Sequence, residues 1–148
     1  MEKSMSKAID SFTDSFRYLS NFAYTPLRYN GKSFLSAEAA YQAAKCKNSE
    51  DQQLFSSLTA SEAKKLGRKI EIREDWDEIK LGIMTDIVRI KFKVYPGFAE
   101  ALRLTHPAPL IEGNYWGDTY WGVCNGEGQN HLGEILMQVR QDIIEGRL

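Results

Sequence analysis

Apolar residues recur through the second half of this chain at the three-and-four spacing of amphipathic helices, while the first third carries short aromatic runs broken by turns. Trp76, Ile79, Ile83, Ile87, Ile90 and Val94 form the longest series, which predicts a helix starting near Asp75 with these side chains on its buried stripe. Pro96-Gly97 interrupts it, and a shorter helix is expected over 98–104, before His106-Pro107-Ala108-Pro109 forces extended chain. Leu132, Ile135, Leu136, Val139 and Ile143 mark a last helix, with Gly146 just past its end. Thr59-Ala-Ser-Glu62 has the form of a capping box opening a helix that ends near Gly67. Asn30-Gly31 suits a type I′ turn, pairing 27–29 with 33–35, and a little more sheet is expected at Leu110-Ile111. Together these elements predict an α+β fold, predominantly α-helical: a single domain with a small β-hairpin, its first ten or so residues loose.

One predicted helix breaks the apolar pattern. In Ser36-Ala-Glu38-Ala-Ala-Tyr41-Gln42-Ala-Ala-Lys45 the positions i, i+3, i+4 and i+7 hold an acid, an aromatic, an amide and an amine, so helical geometry stacks all four on one side. Alanines cover most of the remaining surface and let neighbours approach closely, and Ser36 is placed to cap the start. A solvated face would explain Glu38 and Lys45 as well. Against it, the helix has few large apolar side chains with which to dock any other face, so the polar stripe is expected to line a crevice.

Composition narrows the function classes. The 148 residues suit one domain, with 43% hydrophobic and 26% charged residues, as is ordinary for a globular protein. No apolar run approaches a membrane span, and Met1-Glu2-Lys3-Ser4 lacks the apolar stretch of a signal peptide, so a cytoplasmic location and no membrane partner are expected. Cys46 and Cys124 read as free thiols, without zinc-like spacing to His106 or His131; neither metal nor cofactor is expected. A net charge of −1 argues against strong sequence-independent binding to nucleic acid. Lys64, Lys65, Arg68, Lys69 and Arg73 form one local basic cluster and Arg89, Lys91 and Lys93 another, both explained more simply as solvated helix faces.

A second concentration of chemistry lies between Ile111 and the last helix. Residues 112–130 hold Glu112, Trp116, Asp118, Tyr120, Trp121 and several glycines with no regular period, and functional residues favour such loops when a scaffold holds them. An Ω-loop plugging the core with its aromatics is the structural alternative. Gly126-Glu-Gly128-Gln-Asn130 leads into the last helix, where unpaired N–H groups and the positive dipole end favour an anion such as phosphate; Asn130 acting merely as N-cap explains it equally.

Taken together, Leu19-Ser-Asn-Phe22, Glu38-Ala-Ala-Tyr-Gln-Ala-Ala-Lys45, Ala63-Lys-Lys-Leu-Gly-Arg68, Asp75-Trp76, Met84, Lys91-Phe92, Glu112, Asp118, Trp121-Gly122, Gly128-Gln-Asn-His-Leu-Gly133 and Leu136-Met-Gln-Val-Arg140 resemble, in order and spacing, the NADAR or YbiA-like family. Two departures stand out: Ala39 occupies a position where many members carry His, and the Glu112 to Asp118 loop resembles a longer variant of the family pattern.

The resemblance implies an N-glycosidase that breaks a bond between ribose C1 and a nitrogen of a base or amine. The substrate classes it implies are phosphorylated ribosylamino-pyrimidine intermediates of riboflavin synthesis and guanine carrying ADP-ribose in nucleic acid. Such cleavage builds positive charge on the sugar while the leaving nitrogen needs a proton, so Glu38, Glu112 and Asp118 are the candidate carboxylates, with Glu38 favoured for proton transfer. Lys45 is either a nucleophile forming a Schiff base at C1 or a cation pairing with phosphate or with Glu38. Phe22, Tyr41, Trp116 and Tyr120 are candidate stacking surfaces, Ser20 and Asn21 polar contacts to ribose, and Gln42, Trp121, Gly128 and Asn130 further substrate contacts. Asn21, Glu38, Lys45, Asp118, Trp121 and Asn130 are expected to line one cleft. A module that binds ADP-ribose or NAD without cleaving it is the rival reading.

Overall fold

Asn30 and Gly31 both adopt left-handed backbone, φ 55° and 78°, and close a two-residue turn between β1 (Leu27–Tyr29) and β2 (Lys32–Phe34). The antiparallel register pairs Leu27 with Phe34 and Tyr29 with Lys32, one residue earlier on the second strand than expected. The structure, a computed structural model, describes residues 7–148, which form two compact units: Asn21–Val94, and Tyr95–Leu148 with the N-terminal segment up to Ser20. Residues 1–6, and with them the N-terminal stretch read as lacking a signal peptide and part of the stretch read as loose, lie outside the described residues.

In the Asn21–Val94 unit the hub is α1 (Ala37–Ala44), which touches every other element: the hairpin, α2 (Ser49–Gln53), a 3-10 turn at Leu54–Ser57, α3 (Ala60–Gly67) and α4 (Trp76–Val94). Its alanines permit this crowding, since a methyl-lined helix lets several neighbours close on it at once. Caps fix the helix starts. Ser36 Oγ accepts the Ala39 N–H at 3.0 Å, and Thr59 and Glu62 exchange both bonds of a capping box. Asn48 caps α2, a helix that the hydrophobic pattern did not announce because none of its residues is buried.

The long helix spans α4 as expected, but its buried face is rotated. Trp76, Met84, Ile87, Val88, Lys91 and Phe92 are the buried positions, whereas Ile79, Ile83 and Ile90 are only half-buried and Val94 is exposed. The apolar band on this helix is broad, with Leu81, Met84, Val88 and Phe92 beside the predicted stripe, so periodicity alone selected a neighbouring one. Lys91, read as part of a solvated basic face, is 1% exposed and lies 5.3 Å from the Phe92 ring centroid.

In the other unit α5 (Pro96–Leu104) packs on α6 (His131–Ile144), Pro96 occupying the first turn, where its missing N–H is harmless. Arg140 of α6 donates to Thr105 Oγ1 at 3.0 Å and to Ala108 O at 2.8 Å, tying the helix to the turn after α5. Ile9 exchanges backbone bonds with Pro109 and Ile111 around a parallel bridge to Leu110, the sheet contact found where a strand was expected. A two-residue parallel ladder joins β3 (Gly113–Asn114) to β4 (Val123–Cys124). Among the described residues the fold is mostly helical with two small two-stranded sheets, and no helix is long and apolar enough to cross a membrane.

Candidate active site on the first helix

Every residue of α1 is buried, which removes the solvated-face reading of its polar stripe: Glu38 is 8%, Tyr41 6% and Gln42 5% exposed. The Glu38 N–H donates to Asn21 O at 3.0 Å, anchoring the first turn, and Asn21 Nδ2 donates to Met84 Sδ at 3.3 Å. One turn on, Gln42 Nε2 donates to Glu38 Oε2 at 2.6 Å. The Gln42 amide thus fixes one oxygen of the buried Glu38 carboxyl in place. Tyr41 packs obliquely on Trp76 with ring centroids 5.1 Å apart, and Lys64 Nζ lies 5.6 Å from the Phe22 centroid.

Lys45 stands at the C-terminal cap, half-buried, its Nζ 5.7 Å from the Tyr41 ring centroid. Its backbone is held from both sides: its N–H donates to Gln42 O at 3.2 Å and its carbonyl accepts from Arg73 N at 2.9 Å. Burial holds its pKa below the ordinary lysine value, the positive charges of Arg68 and Lys80 push the same way, and Glu38 acts against them. Desolvation therefore outweighs the carboxylate, and the amine is more easily neutral than a surface lysine. Arg68 was read from sequence only as part of a basic cluster on a solvated helix face, and Lys80 was not singled out.

Ser20 and the loop residues belong to the other unit. There the polar side chains are engaged with backbone. Asp118 Oδ1 accepts the N–H groups of Tyr120 at 3.1 Å and Trp121 at 2.9 Å, while the Asn114 amide exchanges two bonds with the Asp118 backbone. Asn130, left-handed at φ 55°, makes no side-chain cap; its amide bridges the Glu112 N–H at 2.9 Å and Leu110 O at 3.0 Å. Gly128, at φ 150°, lies so close to Gly122 that a Cβ would stand 2.1 Å from the Gly122 carbonyl. Trp121 sits edge-on to Tyr120, whose ring lies tilted against His131, whereas Trp116 is 52% and its neighbour Tyr115 90% exposed. Glu112 is half-buried, its carbonyl accepting from Val123 N at 2.9 Å. Ser20 is half-buried and its N–H donates to Arg17 O at 2.9 Å.

Known proteins resemble this chain in sequence and fold. The chain is 32% identical over 137 residues to the N-glycosidase YbiA of Shigella boydii, covering 90% of this chain and 85% of that one. It is 33% identical over 132 residues to a riboflavin biosynthesis protein of Vibrio vulnificus, covering 86% of this chain and 36% of that one. The solution structure of the Escherichia coli protein YbiA superposes with a TM-score of 0.86 at 28% identity, covering 98% of this chain and 89% of that one. The chain is thus a homologue of N-glycosidases over most of its length, and Glu38, Gln42 and Lys45 lie within the matched domain. With the NADAR domain model matching residues 9–144, the chain belongs to the NADAR family, with a YbiA-like structure.

Proposed function

We propose that this protein cleaves the bond between C1 of a phosphorylated ribose and a nitrogen of a base or amine, with Lys45 as nucleophile and Glu38 as the proton carrier. The observation that carries the reading is a half-buried amine of lowered pKa, on the same helix as a buried carboxylate whose charge it feels. A ribosylamine opens to a protonated imine at C1 as its ring oxygen takes a proton from solvent and becomes a hydroxyl. The neutral Lys45 amine adds to that carbon, and Glu38 takes the proton released from Nζ. Glu38 then gives the proton to the departing nitrogen as the C1–N bond breaks, leaving a Schiff base between C1 and Lys45. Water adds to the Schiff base, the aldehyde sugar leaves, and the amine is restored.

The substrate we favour is a phosphorylated ribosylamino-pyrimidine of riboflavin synthesis. The Vibrio relative is named for riboflavin biosynthesis, and a net charge of −1 suits a small anion better than a polyanion. The cations Lys64, Lys65, Arg68 and Lys69 on and just after α3 favour ADP-ribosylated guanine in nucleic acid as the second reading. Incubating the protein separately with the pyrimidine ribotide and with an ADP-ribosylated guanine oligonucleotide, and following the released base or amine by mass spectrometry, separates them. Cleavage of the ribotide alone is expected. Cleavage of the oligonucleotide alone, falling steeply with salt, would move the assignment to nucleic acid, and release from neither substrate would count against the N-glycosidase reading.

A further inference from the structure

Gly67 ends α3 without adopting left-handed backbone, so its lack of a side chain is not required by a turn. Within a helix glycine is less favourable than alanine, and something must set its presence here. The reason is Gln42. A Cβ on Gly67 would stand 2.0 Å from Gln42 Oε1 and 2.8 Å from its Cδ, so the amide of α1 lies flat against the α3 backbone. The other end of that amide, Nε2, is the donor to Glu38 Oε2 at 2.6 Å, and Oε1 has no hydrogen-bond partner among the described residues. Gly82, in α4, is the contrasting case, with nothing within 4 Å of where its Cβ would be.

We infer that Gly67 and Gln42 are positioning residues for the reaction, Gly67 leaving the room in which the Gln42 amide lies and Gln42 holding the Glu38 carboxylate oxygen in place. This rests on the proposed role of Glu38. Gln42 is accordingly not a substrate contact: one polar end is bonded to Glu38, and the other faces the hydrogen of Gly67 that a side chain would replace. Such a C–H contact is a weak substitute for an N–H donor, so the amide is held by shape more than by bonding at that end. A methyl at Gly67 would push a flexible side chain off the carboxylate while leaving Glu38 itself, and the cations Lys45, Lys64, Arg68 and Lys80 of the surrounding elements, unchanged.

The test is a cycle of Gly67→Ala, Gln42→Ala and the double variant, with Gly82→Ala as control. It is read by thermal melting, by steady-state kinetics, and by the titration of the Glu38 carboxyl in 13C-labelled protein without substrate, assigned with Glu38→Gln. Gly67→Ala is expected to lower kcat about tenfold with KM little changed, the effect of one lost hydrogen bond, and to move the Glu38 titration to higher pH. Gln42→Ala should do the same, and the double variant no more than either. Gly67→Ala should cost stability in the native background and none in Gln42→Ala, where the methyl fills vacated space, so a failure of the single variant to fold is rescued by the double. Gly82→Ala should melt no lower than the native protein. If the Glu38 titration is unmoved in Gly67→Ala and Gln42→Ala, or Gly67→Ala costs the same stability in both backgrounds, the inference is overturned. Full turnover by Glu38→Gln would instead overturn the proposed function, while the titration and melting arms still decide the positioning role.

Discussion

Helix α1 and the loop over 112–130 both concentrate polar and aromatic residues, yet they use them in opposite ways. In α1 the helix and its immediate neighbours satisfy the backbone, so the Gln42 amide is left to bond the Glu38 carboxyl, whose charge Lys45 feels. The loop has a two-residue ladder and scattered backbone bonds, and between them Asp118, Asn114 and Asn130 bond the backbone groups that these leave. A polar residue on a buried helix is therefore a stronger pointer to chemistry than the same residue in an irregular segment, where backbone satisfaction has first claim on it.

The contrast breaks most easily at Lys45. Lys45→Met should lower kcat by about a thousandfold or more, as loss of a nucleophile does, in a protein that still melts cooperatively. Glu38→Gln should lower kcat by roughly 10²–10⁴-fold, the usual contribution of a general acid or base, with ligand affinity within a few-fold. Unchanged turnover in Glu38→Gln would favour a module that binds without cleaving. In the loop the effect should appear as stability. Asn130→Ala leaves the Glu112 N–H and the Leu110 carbonyl without their partner and should cost about 1–3 kcal/mol in denaturant unfolding. If Asn130→Ala instead abolishes turnover while leaving unfolding unchanged, the loop is chemistry and the comparison fails.

The two regions also differ in how much of them was legible beforehand. Ser36, Thr59 and the Asn30-Gly31 turn announced their elements because caps and turns are local, and the i, i+4 spacing of Glu38 and Gln42 made their contact foreseeable. What α4 buries depends on its neighbours, and six apolar positions at helical spacing were compatible with a face other than the one used. Gly67 against Gln42 joins residues far apart in sequence, and no local rule marks it. The Asx-type bonds of Asp118 were hidden for a related reason: without a period in the loop, nothing in the residue order says which N–H a carboxylate will meet.

A smaller effect sharpens the electrostatic side of the account. In the proposed reaction the neutral amine attacks, and burial holds the Lys45 pKa below the ordinary 10.5, so kcat/KM should rise with pH and level off before that value. Arg68→Gln removes a positive charge that lowers the Lys45 pKa. The rise should then move to higher pH, and the rate near neutrality should fall by less than about tenfold, since one unit of pKa is a factor of ten. The smallest effect expected is at Cys46, where burial pushes the thiol pKa up to about 11. It should resist alkylation in the folded protein near pH 8.

The most direct measurement is borohydride reduction during turnover, followed by mass spectrometry of the digested protein. A ribose-phosphate adduct is expected on the peptide carrying Lys45, lost in Lys45→Met. Normal turnover with no trapped adduct, or an adduct on another lysine that persists in Lys45→Met, would contradict the role of Lys45 as nucleophile.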